Sequence, residues 1–150
     1  MKKPGVLLIL LLSMALPLAA QSNQILDQLL DQPAASFGDV VYMTLTAARL
    51  VADTATREQA LETLQQQDWK VPVLAADAPI LLGDYAFLLM KAFKLSGGMF
   101  YSLFPGPRYA VRELGYLKII ATDARPDRTL SGEEAVRILG NVMARKESAS

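Results

Sequence analysis

The sequence predicts an all-α fold, a small helical domain of repeated helix–loop–helix units with about five to six helices. Three observations lead there. Apolar residues recur at three- and four-residue spacing in successive stretches of the chain. A Ser or Thr followed three residues later by Asp, Gln or Glu opens three of these stretches, at Ser36, Thr56 and Ser131. No stretch of useful length alternates apolar with polar residues, and the best strand candidate, "KVPVLA" at 70–75, carries a proline inside.

The first twenty residues stand apart from this pattern. Lys2 and Lys3 precede an apolar run from Val6 to Leu18, broken only by Ser13 and Pro17, and Ala19 and Ala20 then lead into polar "QSNQ". That order predicts a secretory signal peptide over residues 1–20. Its apolar run is too short to span a bilayer. Retention as an uncleaved anchor is the alternative, and no cysteine follows to carry a lipid. The mature chain is therefore expected to be soluble, without a membrane span, and periplasmic or extracellular.

Residues 21–36 read as a lead-in helix and linker. Ile25, Leu26, Leu29 and Leu30 have helical spacing, Pro33 closes the helix, and a loose docking is expected. The repeat domain is placed at 37–146. Its first helix follows the Ser36–Asp39 pair and carries Val40, Val41, Leu45, Ala48 and Val51. The next follows Thr56–Gln59 and carries Ala60, Leu61 and Leu64. Trp69 and two prolines form a connector, with the tryptophan as a lid on the core. Residues 80–94 are apolar around most of a helix circumference, which predicts the central, most buried helix. Gly97 and Gly98 are expected to terminate it. Pro107 suits the first position of a helix bearing Val111, Leu114, Leu117 and Ile120. A last helix opens on Ser131–Glu134 and carries Val136, Leu139 and Val142. Residues 147–150 are expected to be a disordered tail.

Composition narrows the function. The chain has 150 residues, 15 of them basic and 15 acidic, with no histidine and no cysteine. This is one domain's worth of chain, and its zero net charge gives no electrostatic footprint for nucleic acid. Lack of His and Cys removes most acid–base, thiol and zinc chemistry. "SGG" at 96–98 follows a helix instead of preceding one, so it is no phosphate loop. Glu133 and Glu134 are adjacent, but helix capping accounts for them, and a glycosidase pair needs geometry that sequence does not supply. No catalytic residue, cofactor or metal is assigned, and an enzyme of unknown type is the least favoured class.

Three helix starts overlay: "ATREQALETL" (55–64), "LLGDYAFLLM" (81–90) and "LSGEEAVRIL" (130–139). Each has an acid at the fourth place, where the helix dipole favours it, and alanine at the sixth. "AARLVADTAT" before the first copy is similar to "YLKIIATDAR" before the third. The repeat unit is then helix, short loop, capped helix, at about 38–66 and 108–145 with a partial copy between.

"SFGDVV" followed by a helix and "TREQA" resembles the S-layer homology module of bacterial envelope proteins, on Phe37, Asp39, Val40, Thr56, Arg57 and Glu58. The resemblance implies that Thr56 and Arg57 contribute to binding a cell-wall polymer. Gly83 and Gly132 stand in the other copies where Arg57 stands here. "DARPDRTLSGEE" is similar to the calcium loop of EF-hand and dockerin modules, through Asp123, Asp127, Leu130 and Glu134. Arg125 occupies a ligand position and Arg128 the turn position that needs glycine, so a metal-free loop is expected.

"GGMFYSLFPGPRYAVRELGYL" (97–117) is the odd passage. One reading has Met99, Phe100, Leu103 and Phe104 plugging the core beneath a long connector. The other has Tyr101, Phe104 and Tyr109 forming a partly exposed platform with Arg108 and Arg112, suited to sugar faces, carboxylates or peptides. Both hold together if Phe turns inward and Tyr and Arg outward.

The expected function is a non-catalytic, exported envelope interaction module that contacts peptidoglycan or a wall glycan, or else an envelope protein. The alternative is a structural or assembly module. The binding edge is expected at Arg57 or along the Tyr101–Tyr109 connector.

Overall fold

The computed structural model describes residues 16–121 and 123–149. Most of the signal-peptide assignment, residues 1–15, lies outside them. The fold is all-α, with seven helices and no strand among the described residues. The helices are α1 (Leu16–Leu30), α2 (Phe37–Ala47), α3 (Arg57–Gln66), α4 (Leu82–Ala92), α5 (Met99–Leu103), α6 (Pro107–Tyr116) and α7 (Gly132–Ser148). None is long and apolar enough to cross a membrane.

Local chemistry explains most boundaries. Thr56 and Gln59 form the full reciprocal capping box at the start of α3. Ser131 accepts from the Glu134 N–H at the start of α7, and Pro107 holds the first position of α6. Ser36 does not cap α2. Its hydroxyl donates instead to the buried Asp39 carboxylate at 2.7 Å, because that carboxylate needs donors more than the helix end does.

Helices α2, α4 and α6 end alike. Arg49, Lys94 and Lys118 adopt the left-handed conformation, with φ of 59°, 52° and 57°. Leu50, Leu95 and Ile119 then donate their N–H groups back to Leu45, Met90 and Leu114. These are three Schellman motifs, each with a cation where glycine is usual. Thus α4 ends at Ala92 with Lys94 as its left-handed turn residue, ahead of the glycines expected to terminate it. Gly98 instead caps the start of α5.

Three extended segments preceding α2, α4 and α7 form a closed ring. The Ile80 N–H donates to the Ala35 carbonyl at 3.0 Å, and the Ala35 N–H to Leu130 at 2.8 Å. Phe37 donates to Ala78 and Leu82 to Arg128, both at 2.8 Å. Gly38 donates to Ala76, Gly83 to Pro126, and Gly132 to Gln32, which joins the third edge to the first. The isolated bridges Ser36–Pro79 and Leu81–Thr129 mark the same edges.

Around this ring the chain makes three helix–loop–helix units: α1–α2, α3–α4 and α6–α7. The second helix of each packs on the first helix of the next, α2 on α3, α4 on α6 and α7 on α1. The equivalent starts are Ser36, Leu81 and Ser131. The sequence overlay put Thr56 in this set and began the middle copy one residue late. Thr56 instead begins a first helix, as Gly106 does before α6. Both kinds of start carry a capping pattern, so the side chains alone do not separate them.

Helix α4 is the centre, burying Leu82, Tyr85, Ala86, Phe87, Leu88, Leu89 and Met90. The Tyr85 hydroxyl donates to the Ala135 carbonyl at 2.8 Å, tying α4 to α7, and burial holds that phenol well above its ordinary pKa. Trp69 packs against the core as a partly buried lid. The C-terminal end of α1 is docked, contrary to the loose docking expected, because Leu29 is fully buried and Gly132 lies against its carbonyl. Helix α7 runs through Ser148, so residues 147 and 148 are helical instead of tail.

Candidate functional site

The connector between α4 and α6, expected as one long structured connector, contains the five-residue helix α5. At 100° per residue, Met99, Phe100 and Leu103 fall on one arc and Tyr101 on the other side, and Phe104 follows just past the helix end. Their orientation reverses the expectation. Tyr101 is the one buried residue of α5, 8% exposed, with its ring 6.3 Å from Phe87 and edge-on to it. Met99, Phe100, Leu103 and Phe104 are 68%, 51%, 63% and 62% exposed. They plug no core, and Tyr101 belongs to no platform.

Gly97 explains the choice. A side chain there would meet the Tyr101 ring at 2.4 Å, so the bare glycine lets the tyrosine fold back beneath the connector. With Tyr101 inward, helical geometry sends its four apolar neighbours out.

Helix α6 extends the exposed face. Tyr109 stacks on Phe100 with centroids 6.2 Å apart and planes 8° from parallel. The Arg112 guanidinium lies 5.9 Å from the Phe100 ring centre and 5.7 Å from that of Tyr116. It also donates to the Tyr116 hydroxyl at 3.3 Å. Arg108 is exposed. The structure therefore brings together Tyr109 and Arg112 of the expected set, around Phe100, and leaves Phe104 and Arg108 exposed on the same stretch of chain. It adds Met99, Phe100, Leu103 and Tyr116, which sequence reasoning missed. The signal that could have found them is the i, i+1, i+4, i+5 spacing of four apolar residues opposite a single tyrosine.

Thr56 and Arg57 lie in a different setting. Thr56 is an exposed cap. Arg57 faces acids: its Nη1 is 3.3 Å from both Asp39 and Asp77, and its Nε is 3.8 Å from Glu58. Asp39 is buried and also accepts from Gln32 Nε2 at 2.8 Å and from Ser36. Arg57 thus neutralises an interior carboxylate.

The loop before α7 is held by arginines. Arg125 makes a two-pronged pair with Asp123 at 2.8 Å, and Arg128 grips both Glu134 oxygens. Hydrogen bonding to Arg125 keeps the Asp123 carboxyl below its usual range. Two of the three carboxylates expected in a calcium loop, Asp123 and Glu134, are taken by guanidinium groups. Among the described residues, no cluster of three or more acidic, His or Cys side chains could hold a metal.

Asp84 differs from its counterparts in the other two units. Asp39, Asp84 and Glu134 occupy equivalent places in the first turns of α2, α4 and α7. Asp39 has Arg57 and Glu134 has Arg128. Pro107 occupies the place of Arg57 in the next unit, lying against Gly83 as Arg57 lies against Gly38. Half-buried, Asp84 has its pKa raised by desolvation.

Comparison with known protein families, curated proteins and solved structures returns no match to this chain.

Proposed function

We propose that the protein is a non-catalytic interaction module of the cell envelope, exported behind its N-terminal apolar segment, with the α5–α6 face as its binding edge. One observation carries this reading: Met99, Phe100 and Leu103 on one face of α5, and Phe104 just past its end, are each more than half exposed. A soluble domain rarely leaves so many contiguous apolar groups in water without a use for them. The support beneath is fixed, since Tyr101 anchors α5 to α4 and Pro105 and Pro107 stiffen its exit.

A wall-glycan contact is the second reading, favoured by the stacked Phe100 and Tyr109 rings beside Arg112. Aromatic faces and guanidinium groups suit sugar rings and their carboxylates. Polymer contact through Thr56 and Arg57, implied by the S-layer homology resemblance, has less support. Arg57 already serves Asp39 and Asp77, so its removal disturbs the fold as well as any ligand.

The test is saturable sedimentation with crude bacterial envelopes and, separately, with wall sacculi stripped of lipid and protein. The combined variant Phe100→Ser, Leu103→Ser, Phe104→Ser is expected to lose binding to envelopes while keeping its circular dichroism. Undiminished binding by that folded variant overturns the reading. Saturable binding of the native protein to stripped sacculi, lost in the variant, selects the glycan partner.

A further inference from the structure

We propose that the α5–α6 face docks on an anionic lipid bilayer, seating the side chains of Met99, Phe100, Leu103 and Phe104 at the boundary between headgroups and acyl chains. The proposal rests on that face being the binding edge.

Three features select a bilayer. The first is shape. Met99, Leu103 and Phe104 are each more than 60% exposed, so they stand proud of the surface instead of lining a groove. A protruding apolar knob needs a matching cavity in a protein partner. A bilayer accepts it without one. The second is the border. Tyr109 and Tyr116 flank the knob through Phe100 and Arg112. Each has an apolar body and a polar tip, the character that settles at a membrane interface.

The third is charge. Helix α5 carries no charged residue, and the exposed ions of the neighbouring α6 turns are Arg108 and Arg112. The acid beside them, Glu113, is partly buried, lies by Gly98 at the start of α5, and acts on Arg112, so the exposed arginines outnumber it two to one. The exposed rim therefore carries a net positive charge, which complements anionic headgroups. Because α5 is already anchored through Tyr101, insertion requires no ordering of the segment.

The test uses the full chain with sedimenting vesicles of phosphatidylglycerol or of phosphatidylcholine. Every variant shares the same N-terminal segment, so differences report on α5 and α6 alone. Phe100→Ser with Leu103→Ser and Phe104→Ser is expected to lower partition at least about tenfold. Arg108→Ala with Arg112→Ala is expected to lower partition to anionic vesicles by about tenfold, an effect that added salt removes.

Insertion is read at one residue. In a Trp69→Phe background, Phe104→Trp is expected to shift its emission to the blue on vesicle binding and to be quenched by lipids brominated on the acyl chain. Met143→Trp, beside Phe93 on α7, is expected to be unaffected. Unchanged partition of the triple variant, or no quenching at position 104, overturns the proposal. If the triple variant still binds vesicles but no longer sediments with envelopes, the lipid assignment fails and a protein or glycan holds the same edge. If neither changes, the binding edge itself is wrong.

Discussion

Tyr101 and Phe104, three residues apart, have exchanged the roles that their chemistry suggests. Tyr101 lies under Gly97 against Phe87, and Phe104 stands in water. Tyr101→Ala is therefore expected to cost about 2–4 kcal/mol of stability through the cavity it leaves. Phe104→Ala should stay within about 0.5 kcal/mol of the native protein. Urea unfolding of the two variants checks this, and equal losses would mean that the connector is packed the other way round. Asp84 gives a second expectation, set by pH. Desolvation raises its folded-state pKa above the unfolded value. The folded state therefore binds the proton more tightly, and a penalty grows as pH rises from the unfolded pKa through the folded one. Asp84→Asn should melt higher than the native protein at pH 7, and the two melting temperatures should converge near pH 3. A gain that persists at low pH would assign the effect to something other than ionisation. Pro107 stands where Arg57 serves Asp39, and Ala78 stands where Arg128 serves Glu134, so neither route brings a cation to this acid.

At the scale of elements, six of the seven helices were legible because apolar spacing and capping side chains are local signals. The Thr56–Gln59 box and Pro107 mark the starts of α3 and α6 where expected. Helix ends were less legible. Arg49, Lys94 and Lys118 adopt a conformation normally signalled by glycine, and nothing in a lysine or arginine announces it. The cost of about 1 kcal/mol for such a residue is partly offset by its positive charge at a helix C-terminus. Lys94→Gly, with no Cβ to crowd the left-handed turn, should raise stability by about 0.5–1 kcal/mol, measured by thermal or urea unfolding. Destabilisation would mean that the lysine contributes more than its backbone strain removes. The direction of α5 was illegible for a different reason. Burial is the default inference for a cluster of Phe, Leu and Met, and one helical turn offers no second repeat to contradict it.

For the whole molecule, the all-α class follows from composition and periodicity, but the ring does not. Its edges are main-chain hydrogen bonds between loop segments, made by residues as unlike as Ala35, Ile80 and Leu130. The closing contact is the tightest. A Cβ at Gly132 would stand only 1.5 Å from the Leu29 carbonyl oxygen, so no other residue fits without moving α1. Gly132→Ala should cost about 3 kcal/mol, visible as a lowered melting temperature, whereas Gly140→Ala, in open space on the same helix, should not destabilise. Similar melting of both variants would show that α1 is free to give way. The order of the ring also bears on how the chain is made. Gln32 and Leu29, near the beginning, receive their partner only when Gly132 has been synthesised. A ribosome-bound fragment lacking the third unit leaves α1 unclosed and part of the apolar surface of α4 uncovered. The ring can therefore lock only after the third unit has emerged.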